Sequence, residues 1–180
     1  MSTSPCFQPG FKPDPEQGKD RPRILLVVGD GAEVLDTMVP LYRLGEDFHV
    51  VIAAPEKRIY HLVIHELADG WDITEERPGY HLAADVAFRD VRIEEYVGLV
   101  LPGGRAPEYL RYNADLMQIT RAFFTDAKPV ASICHGIEIL GAADLIRERK
   151  VTTIPKCRFD VEICGGVYVE DPVVRSGNLI

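Results

Sequence analysis

The sequence predicts an α/β domain whose mostly parallel sheet is covered by helices on both faces. Three observations predict it. Short continuous apolar runs recur at residues 24–28, 49–54, 98–101 and 129–133. Strands buried on both faces, as in a parallel sheet, read this way. Stretches of helical period alternate with the runs, which calls for crossover connections. Finally, three loops at the ends of runs carry glycine or reactive side chains: 29–33, 102–105 and 134–136. In open α/β sheets ligands bind beyond the carboxyl ends of the strands, so these loops mark the expected site.

In chain order, residues 1–21 form a tail punctuated by Pro5, Pro9, Pro13 and Pro15, with Gly10 and Gly18 between them. Proline removes backbone donors and glycine costs entropy on ordering, so a flexible tail is expected. The folded domain is expected over 22–180. Its first strand, 24–28, ends at Gly29-Asp30-Gly31. A helix follows over about 33–44, with Leu35, Met38, Val39 and Tyr42 as its expected buried stripe. Pro40 inside it predicts a kink or a late start. The second strand, 49–54, is stopped by Pro55. Weak alternation over 59–65, then Gly70, Pro78 and Gly79, predict antiparallel strands and loops inserted into the α/β pattern. Trp71 in this insert is read as a packing or interface anchor. The strand at 98–101 is closed by Pro102-Gly103-Gly104. Leu116, Ile119, Thr120 and Phe123 define a helix over 113–125, capped by Asn113 or Asp115. The strand at 129–133 leads through Cys134-His135-Gly136 into a helix to about 146. Later strands are expected at 152–154, 167–169 and 173–175.

The formal net charge of −8 opposes binding to phosphate backbones, so nucleic acid is not an expected partner. No apolar run approaches the roughly 20 residues of a membrane span. The opening residues lack the basic start and apolar stretch of a signal peptide, and a cytoplasmic protein is expected. Cys6, Cys134, Cys157 and Cys164 contain no C-x-x-C pair, which argues against a disulfide scaffold or a structural zinc site. His61 and His65 lie four residues apart on an expected strand, about 13 Å from one another, too far to share an ion. No metal and no cofactor are expected.

The most informative stretch is Val130-Ala131-Ser132-Ile133-Cys134-His135-Gly136. An apolar strand runs into a reactive side chain, then a glycine, then a helix. This is the context of a nucleophile elbow with cysteine in the nucleophile position. Ser132 and Gly136 are small enough for the turn to close. The nearby helix N-terminus favours a thiolate. The N–H of His135 and those of Gly103 and Gly104 are candidate oxyanion donors. Cys157 and Cys164 read as structural, the usual fate of a free cysteine.

These segments resemble the PfpI/ThiJ superfamily, and more closely its PfpI branch, over about residues 23–180. The resemblance rests on Glu33 with Pro40-Leu41-Tyr42-Arg43-Leu44, on Leu101 to Glu108 (LPGGRAPE), and on Lys128 to Gly136 (KPVASICHG). Thr153-Ile154-Pro155 and Ser176 to Ile180 add to it. It implies a flavodoxin-like three-layer sandwich of the class I glutamine amidotransferase kind. It further implies Cys134 as nucleophile, Glu33 as the carboxylic acid on the thiol, and His135 as acid/base. Glu108 would orient His135 of a neighbouring subunit, so a homo-oligomer, a dimer or a hexamer, is expected. Arg105 has two open readings: it positions an anionic group, or it pairs with Glu108. Asp36, one helical turn from Glu33, is read as a solvated surface residue. Ile137 departs from the family's proline, and the family's final helix is expected to be missing after Ile180.

Three functions follow. The first is a cysteine-dependent hydrolase acting on peptides or small carbonyl-derived substrates. The second is a glyoxalase III or deglycase-like enzyme in which the thiol adds to an aldehyde. The third is a redox-sensing stress protein whose Cys134 is reversibly oxidised.

Overall fold

A computed structural model describes residues 20–180. The expected tail lies outside the described residues, apart from Asp20 and Arg21. The guanidinium of Arg21 donates to the carbonyls of Gly45 and Glu46.

Strand β1 (Arg23–Val27) leads into helix α1 (Val34–Gly45), and β2 (His49–Ala54) follows. Next come the long antiparallel pair β3 (Ile59–Leu67) and β4 (Thr74–Ala83), then a short β5 (Val86–Ala87). β6 (Tyr96–Leu101) leads to α2 (Ala106–Leu110) and α3 (Ala114–Thr125). β7 (Val130–Ser132), a 3₁₀ turn at Cys134–Gly136 and α4 (Ile137–Ala142) come next. β8 (Lys150–Val151), α5 (Arg158–Ile163) and β9 (Val167–Tyr168) complete the order.

The central sheet has the order β5-β2-β1-β6-β7, and every pair in it is parallel. From β1 the chain winds outward to β2, and from β6 outward to β7. Right-handed crossovers in opposite directions place α1 and α3 on opposite faces. The fold is therefore the flavodoxin-like α/β class expected. Its order reverses between β1 and β6, which opens a crevice beyond their carboxyl ends.

The core explains the apolar runs. Leu25, Leu26 and Val28 are fully buried, with Leu99 and Leu101 packed among them. In α3 the stripe Leu116, Ile119, Thr120 and Phe123 is buried as expected, and the side chain of Asn113 caps the helix by accepting from the N–H of Leu116. Residues 178–180 run along β7 and extend the sheet, with the N–H of Ile180 donating to the carbonyl of Val130.

Several expectations are corrected. The buried face of α1 carries Val34, Thr37, Met38 and Leu41, whereas Leu35, Val39 and Tyr42 point outward. Two apolar stripes share Met38, and the one that begins at Val34 is the buried one. Pro40 does not delay the helix, which starts at Val34 and runs through it. Residues 152–154 and 173–175 are not strands; the short parallel pair is β8 with β9. Trp71, at the tip of the β3–β4 hairpin, is 59% exposed and so is no packing anchor within this chain, which leaves its reading as an interface anchor untouched. No helix among the described residues is long and apolar enough to cross a membrane.

Candidate active site

The three loops meet at the crevice. The loop after β1 and the loop after β6 are joined by a bridge between Ala32 and Gly104, and the N–H of Glu33 donates to the carbonyl of Gly103. The hairpin docks on the same corner: the N–H of Gly31 donates to the carbonyl of His61, and that of Val63 to the carbonyl of Ala32.

At the end of β7 the chain turns sharply on Cys134, whose φ is 54°. Non-glycine residues enter this left-handed region only at a cost that their surroundings must offset. Here the N–H of Ile133 donates to the carbonyl of Leu101, that of Gly136 to Ile133, and the Thr153 hydroxyl to the carbonyl of Cys134. A side chain at Gly136 would collide with the carbonyl of Leu101. The strained strand–turn–helix geometry expected at Cys134 is present.

The sulfur is surrounded by polar groups. The backbone N–H groups of Gly104 and His135 act on it and favour its charged form. Nδ1 of His135 lies 3.2 Å away. The Asp36 carboxyl acts on the thiol electrostatically, and its Oδ2 accepts from the N–H of Gly103 at 3.2 Å. Gly103 therefore has no free N–H for an oxyanion; Gly104 and His135 supply the N–H groups that act at sulfur. Space around Gly103 is tight, since a Cβ there would sit 2.5 Å from Cβ of Cys134 and 2.7 Å from the nitrogen of His135.

Electrostatics couple these groups. Burial, then the charge of Glu33, pushes Asp36 up from 3.8 to about 6. Burial, then the charge of Asp36, pushes the Cys134 thiol up to about 11. Burial holds the His135 imidazole below its ordinary value, with Lys156 and His65 adding to the effect. Near neutral pH the arrangement is a thiol, a carboxylate beside it, and an uncharged imidazole.

The placement of Glu33 differs from the expectation. Its buried carboxylate accepts from the N–H of Asp36 at 2.8 Å and caps α1. An acid at the N-cap turns toward the orphan N–H groups of the first turn. The residue three positions later projects across the crevice to the elbow instead. The carboxyl on the thiol is thus that of Asp36, not Glu33, and Asp36 is not the solvated residue expected.

Arg105 and Glu108 lie exposed at the mouth and pair with one another, Nε to Oε1 and Nη2 to Oε2, both at 3.3 Å. Arg105 also lies 4.0 Å from Glu76. Of its two readings, pairing is the one the structure contains. His65 was not singled out for this site, yet its ring lies 3.2 Å from Glu76 and its charge acts on both Asp36 and His135. Only the docking of the hairpin brings it there, and no local motif signals that docking.

An apolar groove of about 930 Å³ has Ala131, Ile133, Cys134, Ile137, Val151 and Ile154 among its walls. Asp36, Gly103, Gly104 and His135 do not line it, so it runs behind the elbow rather than over the polar side of the sulfur. His135 also faces a second cluster, with Glu138 and Cys157, whose donor atoms all lie within 4.8 Å of one another.

Residues 22–180 match the model of the DJ-1/PfpI family. Deglycase TK1284 of Thermococcus kodakarensis is 39% identical over 158 residues, covering 88% of this chain and 87% of the relative. Deglycase PfpI of Pyrococcus furiosus is 36% identical over 159 residues, covering 88% and 87%. Among solved structures, a ThiJ/PfpI domain protein from Brachyspira murdochii superposes with a TM-score of 0.72 at 18% identity, covering 88% of this chain and 86% of that one.

Proposed function

The chain belongs to the DJ-1/PfpI family, and on that premise we propose that it is a cysteine-dependent enzyme acting on small carbonyl compounds, of the deglycase or glyoxalase kind. One observation carries the reading: the Cys134 sulfur is met by an ionisable carboxyl, an imidazole nitrogen and two amide N–H groups. Two relatives named deglycase, alike over most of their length, support it over the peptide-hydrolase reading.

In this reading the thiol adds to the aldehyde carbon of a 1,2-dicarbonyl such as methylglyoxal. As the S–C bond forms, Asp36 takes the thiol proton, a task suited to a carboxyl titrating near 6. The N–H groups of Gly104 and His135, now facing the developing oxyanion, stabilise it. His135, uncharged because of its burial, moves the aldehyde-carbon proton to the neighbouring carbon, whose oxygen takes the proton held by Asp36 while the first oxygen becomes the thioester carbonyl. The resulting thioester is hydrolysed by water, which releases lactate and restores the thiol. Methylglyoxal plus water gives lactate, with no external oxidant or reductant.

The reading includes a homo-oligomer in which Glu108, exposed at the mouth, orients His135 of a partner subunit. The outward Leu35 and Val39 on α1 support a surface that a second copy covers.

The test is lactate formation from methylglyoxal without glutathione. Wild type should turn over and Cys134→Ala should lose activity by at least about a thousandfold, since an activated nucleophile supplies several kcal/mol of the barrier. Cleavage of fluorogenic peptides without any turnover of dicarbonyls would restore the hydrolase reading.

A further inference from the structure

The His135–Glu138–Cys157 cluster shares the His135 imidazole with the nucleophile, whose sulfur lies 3.2 Å from Nδ1. His135 sits in the elbow's first turn and Glu138 three residues on, so both side chains leave the same face. Cys157 reaches them from the turn before α5, which packs against α4. One donor atom from each lies within 4.8 Å of the other two. In a tetrahedral zinc site, metal–donor distances of about 2.0–2.3 Å place donors about 3.5 Å apart. Closing the cluster on an ion thus takes side-chain movements of about an ångström.

The chemistry of the set is selective. Thiolate, imidazole and carboxylate together suit a thiophilic divalent ion rather than magnesium or calcium. A thiolate and a carboxylate balance the charge of such an ion. Cys157 is 2% exposed and Glu138 9%. The Glu138 carboxylate already faces the Arg111 guanidinium at 3.1 Å, which fixes its direction.

We propose that His135, Glu138 and Cys157 form a zinc site, and that zinc bound there withdraws His135 from Cys134 and inhibits the enzyme. The inhibition rests on the function proposed above; the binding does not. Three protein donors leave a fourth position open to water. The bond changes are simple: Cys157 loses its thiol proton to solvent as sulfur binds the ion, and no electron is transferred.

Cobalt(II), a spectroscopic substitute for zinc, tests the binding on the reduced, chelator-treated full chain. A thiolate-to-cobalt charge-transfer band should grow to one equivalent and be displaced by zinc. The band should vanish in Cys157→Ser, persist in Cys134→Ala, and require at least about tenfold more cobalt in Glu138→Gln. Circular dichroism confirms that each variant is folded, and Glu138→Gln, which leaves the buried thiol in place, keeps the test decisive if Cys157→Ser is not. Zinc should lower wild-type turnover tenfold or more and leave Glu138→Gln unaffected at the same concentration. A band lost in Cys134→Ala but kept in Cys157→Ser would place the metal on the nucleophile and overturn the proposal. Absence of any band at micromolar protein and metal would overturn it as well. A band that follows Cys157 in a protein without dicarbonyl turnover would support the site while removing the function it was proposed to regulate.

Discussion

Replacing Asp36 by asparagine should make the protein more stable at pH 8 and leave it nearly unchanged at pH 4. The Asp36 carboxyl is pushed up from 3.8 to about 6 in the folded protein, chiefly by burial and then by the charge of Glu33. The folded state therefore holds this proton more tightly than the unfolded chain does. Ionisation above pH 6 costs the folded state, and the cost fades as pH falls toward 3.8. A displacement of about two pH units, at about 1.4 kcal/mol each, corresponds to about 3 kcal/mol at pH 8. Asparagine keeps an oxygen for the Gly103 N–H but accepts more weakly than a carboxylate, which gives back about 1 kcal/mol. The net gain is then about 2 kcal/mol, or roughly 4–8 °C in Tm for a domain of this size. The assay is urea denaturation of wild type and Asp36→Asn at half-unit steps from pH 4 to 8. The stability difference should open between pH 4 and 6 and then level off. A difference independent of pH, or a wild type more stable at pH 8, would refute the reasoning that Asp36 is a buried carboxylate held at the thiol at a cost to the fold.

Glu33→Ala should lose the cap on α1, destabilising the protein by about 1 kcal/mol in denaturant melts, while thiol reactivity at Cys134 is preserved. Gly103→Ala would drive a methyl group against Cys134, His135 and Asp36 together; turnover should fall at least a hundredfold and stability by about 1–3 kcal/mol. Light scattering should find a mass that is a multiple of the chain's. Glu108→Gln should keep that mass yet lose turnover about tenfold, whereas a fully active single chain would contradict the trans role of Glu108.

Much of the fold was legible because its strands are buried on both faces and so read as continuous apolar runs. The runs ending at Val28, Ala54, Leu101 and Ile133 fall on β1, β2, β6 and β7 within a residue or two. The elbow was legible because a strand, a cysteine and a glycine in that order admit few other geometries. The phase of α1 was not, since Leu35, Val39 and Tyr42 mimic a buried stripe beside the real one. Nor was the division of labour between Glu33 and Asp36. Both acids were visible one turn apart, but which one meets the thiol depends on where the helix begins. The N-cap position of Glu33, with an acid three residues later, resembles a capping pattern and was the available signal. The roles of His65 and Glu138 depend on docking the hairpin and on packing α4 against α5, contacts between elements distant in sequence. The two-residue strands near the C-terminal end are too short to leave a periodicity.

The proposed mechanism turns on Asp36, rather than Glu33, serving the Cys134 thiol. Its most direct test is glutathione-free conversion of methylglyoxal to lactate by wild type, Asp36→Asn and Glu33→Gln, measured side by side at pH 7.5 in the presence of a chelator. Losing the proton acceptor should lower turnover in Asp36→Asn by a hundredfold or more, since general base catalysis contributes about 10²–10⁴-fold. Glu33→Gln, which retains an oxygen to cap α1, should stay within about threefold of wild type. The reverse pattern, with Glu33→Gln inactive and Asp36→Asn near wild type, would contradict the assignment.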